Sequence, residues 1–184
     1  MTLYDKTVAF VDKAFKGKQK RHFERTVYWM EKFYPGFTEA HRIAAYSHDI
    51  ERPTRPKDKK EPGDYLDGEF LKTHQEGGAH IMADFLKENC AYQDTIDKVF
   101  HLISQHEVGG DDEQNALKDA DSVSFFETNA EMFAKEKVKV EGYKKVKAKL
   151  DWMFGRITSS VAKEAARANY EKWSKELDNN FKPK

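Results

Sequence analysis

Residues 93–107 read Gln-Asp-Thr-Ile-Asp-Lys-Val-Phe-His-Leu-Ile-Ser-Gln-His-Glu. Ile96, Val99, Phe100 and Ile103 recur at i, i+3, i+4 and i+7, which places them on one stripe of an α-helix. Polar and charged residues fall on the other face. The same period governs most of the chain, and no strand-like alternation of useful length competes with it. The expected fold class is therefore all-α.

Working back from that stretch, a helix is expected from Asp67 or Thr73 to Glu88, with Gly77-Gly78 inside it marking close packing against a neighbour. Pro53, Pro56, Pro62 and Gly63 forbid a continuous helix before it, so Glu51 to about Asp64 reads as a polar loop, a lid or an entrance. Thr38 followed by Glu39 is an N-cap signal for a helix through Ile43, Ala44, Ala45 and Tyr46 to His48-Asp49. Earlier still, a helix from about Lys18 to Phe33 ends at Pro35-Gly36, and Leu3 to Phe15 forms an opening helix broken by Gly17. Working forward, the first helix is expected to reach Glu107, and Gly109-Gly110-Asp111-Asp112 is a turn. A helix follows from Glu113 to Glu127. Residues from Asn129 to about Leu177 read as two or three long charged helices that bury Phe133, Val138, Leu150, Met153, Ile157, Val161 and Trp173.

The length of 184 residues suits one domain with a real core. Phe, Tyr and Trp number 13, 8 and 3, too much aromatic surface for a disordered chain even with 35% charged residues. Basic and acidic residues both total 32, so no global field draws the protein to nucleic acid or an anionic membrane. Phosphate recognition, if present, has to come from a local cationic cluster. Cys90 is the single cysteine, which rules out an internal disulfide and fits a reducing cytoplasm. Met1 to Phe15 carries Asp5, Lys6, Asp12 and Lys13 and has no apolar h-region of a signal peptide. Self-association is compatible with all of this.

Some polar residues do not sit where a surface would put them. His48-Asp49 follows the small apolar run Ile43-Ala44-Ala45, and a carboxylate at the end of an apolar helix is costly unless paired or bound to a cation. Asp121 leads into Val123, Phe125 and Phe126 and again sets a carboxylate at the edge of a core. His22 has Arg25 one turn later on its own face.

The order His22, His48-Asp49, Asp121 resembles the HD superfamily of metal-dependent phosphohydrolases. Ala44-Ala45-Tyr46-Ser47-His48-Asp49-Ile50 is similar to that family's approach to its His-Asp pair, His22 to Arg25 to its H-x-x-R, and Ala120-Asp121-Ser122 to its Ala-Asp. His74, with Gly78-Ala79 after it, resembles H-x-x-x-G-A, and His106 after Ile103 resembles the family's later histidine. The likeness spans roughly residues 20 to 126, leaving about 129–180 as a helical extension of one HD-like bundle. Where many members have His-Asp-x-Gly-Lys, this chain has His48-Asp49-Ile50-Glu51-Arg52, with Arg52 keeping a cation at the Lys position. One histidine near position 106, not a pair, sets the chain apart from the cyclic dinucleotide phosphodiesterases. His41, His80 and His101 match nothing in the pattern.

The resemblance implies a metal held by His22, His48, Asp49 and Asp121. Mn²⁺, Fe²⁺, Co²⁺, Ni²⁺ or Zn²⁺ suit such ligands better than Mg²⁺ does. One ion is favoured; His74 and His106 would hold a second, or act on phosphate or the leaving group. Arg25 and Arg52 are the expected phosphate contacts. Arg156, Lys163 and Arg167, spaced by seven and four, share a helical face and form a further candidate for phosphate binding. The expected function is hydrolysis of a nucleotide or other small phosphate ester. The alternative is a metal-binding helical module that acts through a partner.

Overall fold

A computed structural model describes residues 1–55 and 66–183. Among the described residues every regular element is helical. The helices are α1 Leu3–Phe15, α2 Lys20–Phe33, α3 Glu39–Ser47, α4 Glu51–Thr54, α5 Gly68–Glu88, α6 Gln93–Ile103, α7 Asp112–Thr128 and α8 Ala130–Met132. A π-helical turn, Phe133–Lys137, then leads into α9 Val138–Glu141, α10 Tyr143–Gly155 and α11 Ser160–Phe181.

Side-chain caps start several of them by satisfying amide donors that the first turn leaves open. Thr2 and Asp5 form a reciprocal capping box on α1, and Asp111 and Gln114 do the same on α7. Asp67 accepts from the Phe70 amide and Ser159 from the Ala162 amide. The chain leaves α1 through left-handed Lys16 and Gly17, at φ 54° and 72°. That conformation is natural for glycine and explains why the helix stops there.

α7 is the spine. It packs along α2 and α11 and is buried on nearly every face between Gln114 and Phe126. Leu117 and Ala120 join a core with Val11, Phe23, Ile43, Met82 and Leu102. Val123, Phe125 and Phe126 join a second core with Leu150, Met153, Trp173 and Leu177. Trp29 and Phe33 of α2 pack against both. A helix buried on all sides has to satisfy its polar side chains internally, and Lys118, Asp119, Asp121, Ser122 and Ser124 are all buried.

Several expectations change. Glu51–Thr54 is helical, not loop, because Pro53 falls in a first turn, where a missing amide donor costs nothing. The rest of the expected lid, from 56 to about 64, lies outside the described residues. α6 ends at Ile103 and not at Glu107: the Ser104 hydroxyl donates to the His101 carbonyl, and the chain turns so that the Gly109 amide reaches the Gln105 carbonyl at 2.6 Å. Past α7 the chain breaks into short pieces before Gly142, at φ 84°, admits the long helices α10 and α11. Val161 is 67% exposed, since α11 turns Ala162, Ala166, Trp173 and Leu177 inward instead.

Candidate metal centre

Five parts of the chain deliver buried polar side chains to one place. His22 comes from the first turn of α2 and His48-Asp49 from the end of α3. His74 comes from the second turn of α5, His106-Glu107 from the turn after α6, and Asp121 from the middle of α7. Buried as they are, they form two adjoining groups that can each hold a metal ion: His22, His48 and Asp121, and Asp49, His74, His106 and Glu107.

The two groups touch. Asp121 Oδ1 lies 3.1 Å from His22 Nε2 and 3.4 Å from His48 Nε2. Asp49 Oδ2 is 4.0 Å from His48 Nε2, while its Oδ1 is 3.1 Å from His74 Nε2. Glu107 Oε1 is 3.7 Å from His74 Nε2 and 3.8 Å from His106 Nε2. The rings of His22, His48, His106 and His74 follow one another at centroid spacings of 5.2–5.4 Å.

Each imidazole is anchored through Nδ1. His48 Nδ1 donates to the Ala45 carbonyl at 3.0 Å and His106 Nδ1 to the Ile103 carbonyl at 2.8 Å. A carbonyl only accepts, so the proton sits on Nδ1 and the lone pair of the neutral ring sits on Nε2. His74 Nδ1 donates to Glu51 at 2.8 Å, and His22 Nδ1 meets the Ser124 hydroxyl at 2.7 Å. Nε2 of His48 and of His106 are buried without a hydrogen-bond partner. Buried polar atoms are rarely left so, and a bound cation is the partner this donor set fits. Orienting a ligand imidazole through its other nitrogen is the usual support of metal sites.

Electrostatics agree. Burial opposes ionising Asp49 and Asp121, but Arg52 beside the first and Arg156 beside the second, together with His48, hold both carboxyls well below the usual range. Burial likewise opposes Glu107, and Arg156 overrides it in the same direction. Burial lowers His106 to about 4. At His48 burial is outweighed by Asp121 and Asp49, and its pKa rises to about 9.

A cavity of about 690 Å³ opens onto the cluster. His22, Asp49, Asp121, Glu107, Arg52 and Lys149 border it. Arg52 Nε donates to Asp49 Oδ1 at 2.6 Å. Arg156 bonds Asp121 and Glu107 with its two arms and Ser122 with Nε. Arg25 is placed elsewhere: it pairs with Glu127 at 2.6 and 3.0 Å and stacks on Tyr28. Lys163 packs over Phe154, away from the residues that line the cavity, and Arg167 pairs with Glu164.

Sequence reasoning missed Glu107, Lys149 and the support given by Glu51. Glu107 was readable as the neighbour of His106 once the helix is known to stop at Ile103. Nothing local marks Lys149, one of many lysines in a charged helix. No curated protein and no solved structure matches the chain. A family model matches residues 5–178, nearly the whole chain and all of the cluster, and the protein belongs to that family, described as Domain of unknown function (DUF4202).

Proposed function

We propose that the protein is a metal-dependent phosphohydrolase of the HD kind, acting on a nucleotide or other small phosphate ester. The observation that carries the reading is the set of inward Nε2 atoms. Those of His48 and His106 have no hydrogen-bond partner in the protein, and the carboxylates of Asp49 and Asp121 stand among them. His22, His48, Asp49 and Asp121 would hold the ion, which is best read as Mn²⁺, Fe²⁺, Co²⁺, Ni²⁺ or Zn²⁺. A divalent ion held there would supply Lewis acidity and the means to activate a water.

The protein's own groups do the rest. Arg52 stands at the cavity wall, half-exposed, and offers its remaining donors to a phosphoryl oxygen. His74 is held between Asp49 and Glu51, hydrogen bonds that raise its pKa against the effect of burial. It is thus suited to hold a proton at Nε2 and pass it to a departing oxygen. Glu51 is fixed in turn by Arg55 at 2.6 Å, which keeps the relay in one orientation. A cavity that opens onto the cluster favours turnover over a closed structural site, which keeps no open position.

The test combines metal analysis of the purified protein with phosphate release from a panel of nucleotides and simple phosphate esters. Mn²⁺, Co²⁺, Ni²⁺ and Mg²⁺ are each supplied. Release with a transition metal, lost together with the metal in Asp49→Ala while helical circular dichroism is retained, is the expected result. A wild-type protein that carries its metal and releases nothing from the panel refutes the reading.

A further inference from the structure

The carboxylates that border the cavity are Asp49, Glu107 and Asp121, all buried. Arg52, Lys149 and Arg156 face them. With the imidazoles neutral these three pairs balance charge for charge, and Lys16, Lys18 and Lys137, which line the same cavity, only add positive charge. Glu51 does not disturb the balance, because Arg55 closes on it at 2.6 Å. His22 and His48 remain neutral when their Nε2 lone pairs are given to a cation, and a proton on His74 adds to the positive side. A divalent ion therefore leaves at least two positive charges uncompensated in a site of low dielectric, which is expensive until an anion cancels them. A phosphate monoester is close to doubly negative at neutral pH. A diester carries a single charge and cancels less of the excess.

The walls say what the phosphate is attached to. Phe15, Phe70, Phe125, Phe133 and Met153 line the same cavity. The π-helical turn Phe133–Lys137 adds Phe133 and Lys137 to the lining. Lys149 comes from α10 and is 8% exposed. Its ammonium lies 4.5 Å from the Trp152 ring, in the seam between the apolar wall and the carboxylates. Arg156 is committed by both arms to Asp121 and Glu107, so it sets the balance without contacting a ligand.

We propose that the cavity selects a phosphate monoester dianion on an apolar, planar organic group, with Lys149 and Arg52 as its phosphate contacts. This rests on the hydrolase reading and narrows it to one substrate class. Lys149, in the C-terminal third, thereby ties that region to the site.

Titration calorimetry on the Mn²⁺-loaded protein at pH 7 tests it with probes that are not hydrolysed: benzylphosphonate, its monomethyl ester and methylphosphonate, with each phosphonate's affinity referred to its dianion fraction. Benzylphosphonate is expected to bind at least about tenfold tighter than its monoanionic ester, the effect of one charge-assisted contact. It should exceed methylphosphonate by about tenfold or more through burial of the ring. Lys149→Met should erase most of the preference for the dianion, and Lys149→Arg should keep it. Metal analysis of each variant checks that the ion is still bound. Equal affinity for phosphonate and ester, or an undiminished preference in Lys149→Met, overturns the assignment and leaves the hydrolase reading standing. A protein that binds neither phosphonate yet releases phosphate from its panel overturns it as well. Failure in both assays removes the reading on which it rests.

Discussion

His48 of the metal-free protein holds a proton between Asp121 and Asp49, with a pKa of about 9 against an ordinary 6.5. A group whose pKa is raised by folding contributes stability that is complete below the unfolded value and is lost as pH climbs through the folded one. His74 is shifted in the same direction. Lys149, which burial lowers to about 8, acts oppositely but only above that value. The metal-free protein should therefore lose melting temperature between pH 6.5 and 8. A bound ion replaces the proton, so the metal-loaded protein should not follow that decline. The gain in melting temperature on adding Mn²⁺ should accordingly widen across the window, as measured by thermal scans with chelator and with metal. A constant gain would mean that metal and proton do not compete at His48.

At the scale of the element, packing at one glycine sets where the histidines meet. A Cβ on Gly78 of α5 would lie 3.2 Å from the His48 carbonyl and 3.4 Å from Ile103 Cγ2. One neighbour is backbone that cannot swing aside, so Gly78→Ala should push α5 away from the turn that carries His48. We expect a loss of about 1 kcal/mol or more by denaturant unfolding and weaker metal retention. Gly155→Ala is the control, since a Cβ there meets nothing within 4 Å. It should stabilise the protein by about 0.4–1 kcal/mol and leave the metal untouched. If both variants retain metal equally, close packing at Gly78 is not what aligns His74 with Asp49.

The same scale shows what the sequence could tell. α2, α5, α6 and α7 were legible because each couples an apolar period to a cap or a breaker, both of which are local signals. His22, His48, Asp49, His74, His106 and Asp121 were legible through their order along the chain, and the fold brings them into adjoining groups. Arg25 was misjudged because its face of α2 also meets Glu127, which is 102 positions away. Lys149 and the two ion pairs of Arg156, to Glu107 and to Asp121, depend on how the last helices return over α7, and no spacing along the chain encodes that.

Across the whole molecule the two cores meet at α7, and Arg156 is a tie between them. It leaves the C-terminal end of α10, which packs in the second core, and reaches Asp121 on α7 and Glu107 in the turn after α6. Its side chain is 5% exposed. Arg156→Met nearly conserves the apolar stem but removes the charge. In the metal-free protein Glu107 and Asp121 then face each other with less compensation, and breaking such a buried pair costs about 3–5 kcal/mol. For a chain of this size that corresponds to roughly 10 °C in melting temperature. An ion beside Asp121 restores part of the missing positive charge, so the same substitution should cost clearly less in the Mn²⁺-loaded protein. Thermal scans of wild type and Arg156→Met, each with chelator and with Mn²⁺, give the four values needed. Equal losses in the two states would mean that Arg156 acts through its packing on Trp152, 4.6 Å from the ring centre, and not through its charge. A loss confined to the metal-free state would show the C-terminal helices acting on the centre electrostatically, the C-terminal third thereby serving as part of the site's charge balance as well as its cover.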